Sequence, residues 1–125
     1  MNSIGVALYT DSDVFAGTEA HILTLARALR QLGAEARIAC PAPSPLAERA
    51  AAEGIDLCPI AKNDLVDRRA ICALAGLLRS RSVQIVHSHN GRTHLNAALA
   101  VRLANEVVRD LGLVHGRMRD TKSNI

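Results

Sequence analysis

Apolar residues along this chain follow two alternating rhythms. Short runs, "IGVALY" at 4–9, "EARIAC" at 35–40, "IDLCPI" at 55–60 and "VQIVHSH" at 83–89, are separated by longer stretches in which apolar positions return every three or four residues. The runs are too short for helices and are flanked by "TDSD", "PAPSP" or glycine, which predicts buried strands. The longer stretches predict helices. In the first, Ile22, Leu25, Ala26, Leu29 and Leu32 make one stripe, Thr18 is placed to cap it with Glu19 in its first turn, and Gly33 closes it as the C′ residue. Ser44 as N-cap and Pro45 at the first helical position start the second, "PLAERAAAE", which Gly54 ends. A third helix from about residue 65 to 81 buries Ile71, Leu74, Ala75 and Leu78, and a fourth is "RTHLNAALAVRLA" at 92–104.

This β-α alternation, in units of roughly 30 residues, implies a parallel sheet with helices on both faces. The expected fold is α/β: a Rossmann-like, doubly wound parallel sheet in three αβα layers. Past residue 104 the pattern fades; "LGLVHG" could be a fifth strand, but "RMRDTKSNI" is polar. Residues 1–104 are therefore read as an incomplete domain and 105–125 as a divergent or truncated tail. Ligands of such sheets collect beyond the carboxyl ends of the strands, so the loop 10–18 and the segment "HSHNGR" are expected on one rim.

Composition narrows the chemistry. Of 125 residues 49% are hydrophobic, enough for a packed core, but aromatics are only 2%, so the stacking rings of single-stranded nucleic acid readers are absent. The formal charge of +3 is mild and its basic residues are interspersed with acids, so no nucleic-acid partner is expected. Cys40, Cys58 and Cys72 are odd in number and lack CxxC spacing, which argues against a disulfide framework or zinc site. No signal-peptide pattern opens the chain and no run approaches the roughly 20 apolar residues that span a bilayer. A cytoplasmic location, with room for peripheral contact at the inner face of the membrane, is the expectation.

The turn "DVFAGTEAH" directs the first amides and the positive end of a helix dipole at whatever lies in front of it, commonly an anion. It is not a phosphate-binding GxxxxGK[ST] loop, since no Lys follows Gly17. Nor is it a dinucleotide fingerprint: GxGxxG is missing, and the second strand ends in "IACPAP" without an acid for a ribose.

The segments "FAGTEAHILTLARALRQLGAEARIACP", "PLAERAAAEGIDLCPI" and "LRSRSVQIVHSHNGRTHLNAALAVRLA" resemble, in order and spacing, the N-terminal domain of glycosyltransferase family 4, the retaining GT-B enzymes. The resemblance covers about residues 4 to 104. It implies a two-domain enzyme that transfers a sugar from a nucleoside-diphosphate sugar to a glycan or lipid-linked acceptor in polysaccharide or glycolipid biosynthesis, lipopolysaccharide included. The donor-binding C-terminal domain, with its E-x7-E signature, is then absent from this chain, which alone is expected to be inactive. It implies no cofactor and no metal: helix dipoles and basic groups stabilise the departing diphosphate. Carried over residue by residue, Gly17 falls on the second glycine of the family's GG-x-E turn, with Thr18 beside it and Glu19 on the family's acid. His89 matches the second His of an HxH strand end and is the catalytic candidate, with His87 and Asn90 as substrate-binding neighbours. Ala16 stands at the first glycine position, where its methyl group costs on the order of 1 kcal/mol if φ is positive.

Plainer readings stand beside these. Gly17 is also suited to a bare strand-to-helix turn, Glu19 to a helix-start carboxylate, and His87 to the core or a loop contact. His87, His89 and His94 have a metal-like spacing but no flanking carboxylate or Cys. Arg68, Cys72 and Arg79 share a helix face, either solvated or facing anionic lipid. Asp11 and Asp13 are read as loop residues that bond the turn. The rival to the enzyme reading is a non-catalytic Rossmann-like binding or interaction module.

Overall fold

The computed structural model describes residues 3–12, 14–60, 67–89 and 91–110, the last helix by backbone alone at 91–92 and 106–110. Its elements run β1 (Gly5–Tyr9), α1 (Gly17–Gln31), β2 (Glu35–Cys40), α2 (Pro45–Ala52), β3 (Asp56–Pro59), α3 (Arg68–Arg79), β4 (Ile85–Ser88) and α4 (Gly91–Asp110). The strands form one sheet in the order β3-β2-β1-β4, and every neighbouring pair is parallel. The expected Rossmann-like αβα fold is observed.

The unbroken apolar run of β1 has a direct cause: the strand is buried at all its positions. Val6 and Leu8 enter one core with Ile22, Leu23 and Ala26 of α1 and Leu46, Ala47 and Ala50 of α2. Ala7 and Tyr9 enter the other, with Ala70, Leu74 and Ala75 of α3 and Ala97, Ala100 and Ala104 of α4. Alternate side chains thus serve opposite faces. Leu8, Ile22, Ile38, Leu46 and Leu74 are fully buried, each worth roughly 1.5–3 kcal/mol relative to exposure.

Local chemistry sets the helix ends. The Ser44 hydroxyl accepts the Ala47 N–H at 3.1 Å behind Pro45, and the Asp67 carboxylate accepts the Ala70 N–H at 3.0 Å, so α3 starts at Arg68 and not near residue 65. Gly33, at φ +88°, takes the left-handed conformation that ends α1. The N-terminus of α1 differs from expectation. Its N-cap is Ala16, not Thr18, and no side chain caps it; instead the Glu19 carboxylate reaches back to accept the Ala16 N–H at 3.0 Å, half of a capping box. Ala16 is extended at φ −139°, so its methyl carries no left-handed penalty. Leu32 is not part of the apolar stripe: it is the C-cap, and 84% exposed. The fourth helix runs on to Asp110, past the point where its apolar period fades, because no glycine or proline intervenes before Gly112. Asp13, Asn90 and the "LGLVHG" segment lie outside the described residues.

Gly5 is where β1 meets the turn before β4. Its N–H donates to Gln84 Oε1 at 2.6 Å and its carbonyl accepts the Gln84 N–H at 2.9 Å. A Cβ at this position would run into the Ser82 carbonyl oxygen. Gly5→Ala is expected to destabilise the fold by about 1–3 kcal/mol, the usual cost of overpacking. A urea unfolding midpoint equal to that of the parent chain would contradict this close approach.

Candidate functional site

The strand order reverses at β1. From β1 the chain steps outward to β2 and β3, then returns to place β4 on the other side of β1. The helices that follow the two central strands lie on opposite faces, α1 against Val6 and Leu8, α4 against Ala7 and Tyr9. The carboxyl ends of β1 and β4 are therefore the switch point at which ligands of such sheets usually bind. The N-termini of α1 and α4, at Gly17 and Gly91, both start from this rim. The loop after β1 and the end of β4 are brought together as the sequence predicts.

On the α1 side, the amides of Gly17 and Thr18 are the first of the helix and have no acceptor within it. Gly17 and Thr18 are both exposed. Neither backbone conformation nor space demands glycine at 17: its φ is not positive, and an added Cβ would meet nothing within 4 Å. Glu19, by contrast, is 3% exposed, and its Oε1 is engaged with Ala16 N–H, so this carboxylate shapes the turn from inside. The loop before the turn is held on α2, where the Arg49 guanidinium stacks 3.8 Å over the Phe15 ring.

On the β4 side, register decides which side chains face α1. Ile85 and His87 pair with Val6 and Leu8 and project to the α1 face, where Ile85 is 49% exposed and His87 is exposed. His87 is thus not in the core. His89 continues the ladder one step beyond β4: its N–H donates to the Tyr9 carbonyl at 3.1 Å. The same carbonyl lies 3.4 Å from His89 Nδ1. A carbonyl only accepts, so this contact favours the tautomer with the ring proton on Nδ1, in which Nε2 is the acceptor. Nε2 is buried and has no hydrogen-bond partner among the described residues.

The His89 ring is packed between two other imidazoles. His87 lies at 4.3 Å between centroids in a tilted stack, and His21 of α1 at 6.2 Å in an edge-to-face arrangement. Burial, and then the proximity of His87, push the His89 pKa below its ordinary 6.5. The ring is therefore held neutral around pH 7. His21 was not singled out by the sequence reasoning. Its signal was its spacing: four residues after Gly17, it shares that residue's helix face.

Beneath the rim lies a buried polar network. Asn96 of α4 donates from Nδ2 to the Tyr9 hydroxyl at 3.3 Å and accepts the Asp67 N–H at 3.0 Å through Oδ1. Tyr9, Asp67 and Asn96 are 1%, 5% and 4% exposed. The residue whose carbonyl orients His89 is thereby pinned from the opposite face of the sheet.

No group of three or more His, Cys, Asp or Glu that could hold a metal occurs among the described residues, and no described helix is long and apolar enough to cross a membrane. His94 lies on α4 and is exposed. Arg68, Cys72 and Arg79 are all exposed on α3, and Asp11 is half-buried in the loop after β1.

The sequence model described as Glycosyltransferase Family 4 matches residues 15–122. No curated protein matches the chain. Among solved structures, a glycosyltransferase from Rickettsia africae ESF-5 superposes with a TM-score of 0.70 at 19% identity, over 84% of this chain and 28% of that one. At that identity the likeness concerns the fold, and this chain spans little more than a quarter of the other's length.

Two outcomes follow from the geometry. Gly17→Ala should leave the unfolding free energy within about 0.5 kcal/mol of the parent; a loss beyond about 1 kcal/mol would assign Gly17 a packing role. His89 should make stability depend on acidity. Below pH 6.5 the unfolded chain protonates this imidazole while the native state, with its lowered pKa, does not, so stability falls as pH drops from 6.5 through the folded value and gains nothing above 6.5. His89→Gln should flatten that slope in urea titrations at pH 7.5 and 5.

Proposed function

We propose, since the chain belongs to glycosyltransferase family 4, that it forms the acceptor-side half of an enzyme moving a sugar from a nucleoside diphosphate onto a glycan or lipid-linked acceptor. The observation that carries the reading is the buried, unpartnered Nε2 of His89 beside the open N-terminus of α1. The two features want opposite ligand chemistry. The amides of Gly17 and Thr18 donate and suit the oxygens of a diphosphate or a polar acceptor. The neutral His89 imidazole accepts at Nε2 and suits a hydroxyl, either of the sugar being moved or of the acceptor.

In the transfer, the bond from the anomeric carbon to the diphosphate oxygen breaks, and a bond to the acceptor oxygen forms. The diphosphate leaves with the bonding pair and takes up the proton that the acceptor hydroxyl gives up. Amides already aimed at the departing charge stabilise it with no reorganisation at the moment of reaction. This charge stabilisation requires no resident metal in our reading. His87, exposed at the end of β4, would be a substrate-binding neighbour of His89, and the family resemblance assigns the same role to Asn90. Most contacts to the donor would come from a second domain, so the chain by itself would not turn over. The enzyme would work on the cytoplasmic side, and exposed Arg68 and Arg79 on α3 would suit peripheral contact with an anionic membrane. Cell-surface polysaccharide or glycolipid synthesis is the process these parts would serve.

The test is a titration of the isotopically labelled chain with uridine diphosphate. Saturable shifts of the Gly17 and Thr18 amides, weakened at least about fivefold by Gly17→Ala, are expected, that ratio corresponding to roughly 1 kcal/mol. Unmoved amides at saturating ligand would overturn the anion-binding assignment. Robust sugar-nucleotide turnover by the chain alone would overturn its division of labour with a second domain.

A further inference from the structure

We propose that His21 is a positioning residue of this site, its edge-to-face contact setting the orientation of the His89 imidazole. The inference rests on the function proposed above only for the identity of the ligand hydroxyl; the positioning itself concerns this chain's own residues. His89 has one ring nitrogen turned to the Tyr9 carbonyl at 3.4 Å, a long contact that cannot by itself fix the plane of the ring. Beside it the ring meets the His87 backbone and the rings of His87 and His21. His87 stands two residues away in the same chain segment and is exposed, so it supplies no reference from outside that segment. His21 comes from α1, the element that also carries the Gly17 and Thr18 amides. It lies one helical turn beyond Gly17, and its neighbours Ile22 and Leu23 are anchored in the core. The contact therefore fixes the acceptor nitrogen relative to the amide donors, two groups that reach the rim from different strands and must act on one ligand.

The arrangement also bears on protonation. The titratable groups facing the ring are His87 from β4 and His21 from α1; β1 presents only the Tyr9 carbonyl, its phenol lying on the opposite face with Asn96, and the Glu19 carboxylate is turned back onto Ala16. Among the described residues the side chains found against the ring are two imidazoles, so burial and their proximity oppose a second proton on His89. An acceptor screened from water binds a hydroxyl more strongly than an exposed one.

The experiment follows the histidine ring nitrogens by long-range proton–nitrogen correlation in the 125-residue chain, the His89 signals being identified by their loss in His89→Gln. In the parent chain, His89 should show the Nδ1–H tautomer and titrate below 6.5. His21→Ala should mix the tautomers and move the titration up toward 6.5, while His21→Phe, which keeps a ring edge without a charge, should retain the tautomer and shift less. Identical tautomer and titration in parent and His21→Ala would overturn the proposal, as would a His21→Phe ring as disordered as that of His21→Ala. Well-dispersed amide spectra in both variants exclude unfolding as the cause, and a purely structural residue would not move the tautomer. The readout needs no ligand, so a chain that passes it yet ignores uridine diphosphate overturns the proposed function alone.

Discussion

The structure depends on the double burial of β1. Its side chains fill both cores and its backbone pairs with parallel strands on both sides, so nothing along it is free to face water. Only its carboxyl end is open, and there the reversal of strand order turns α1 and α4 to opposite faces. The candidate site is what this arrangement leaves over. Tyr9 sits at the junction: its side chain is locked beneath the sheet by Asn96, and its carbonyl takes the His89 N–H and faces the imidazole of the same residue. Fold and site are thus continuous through a single residue.

Two kinds of hydrogen-bonding capacity meet at the rim without cancelling. The first amides of α1 donate, and the Glu19 carboxylate in the helix's first turn is occupied by the Ala16 N–H and withdrawn from the surface. His89 accepts, because its proton is turned toward Tyr9 and burial opposes a second one. A ligand carrying both anionic oxygens and hydroxyls satisfies both sets. A simple anion satisfies only the amides, and a neutral polyol only the imidazole.

Much of this was legible in the sequence, and the limits have local causes. β1 announced itself because a strand buried on both faces has no polar alternation to obscure it, whereas β3 and β4, expected to be buried, lie at the sheet edges and are partly exposed. Ser44, Pro45, Gly33 and Gly54 mark helix ends by stereochemistry that hardly depends on tertiary context. The start of α1 was misread because Thr18 looks like a cap, whereas Glu19 supplies the cap from inside the helix and allows Ala16 to be the boundary. The end of α4 was placed short because apolar period, not helix-forming capacity, is what fades there. For the site, the rim and the two segments followed from topology. The packing order of the imidazoles did not: the exposure of His87 and the burial of His89 Nε2 depend on α1 covering β1 and leaving β4 bare on that face. His21 was hidden for the same reason, since a polar residue on an exposed helix face gains meaning only when a neighbouring strand brings a partner to it.

Tyr9 is the chain's single tyrosine, and there is no tryptophan. Its phenol is buried and hydrogen-bonded, and burial raises its pKa, so it remains un-ionised well into alkaline solution. The near-ultraviolet signature of this protein is therefore dominated by one chromophore directly under the ligand rim. A lone optical label thus stands at the end of the central strand, with almost no background from elsewhere in the molecule.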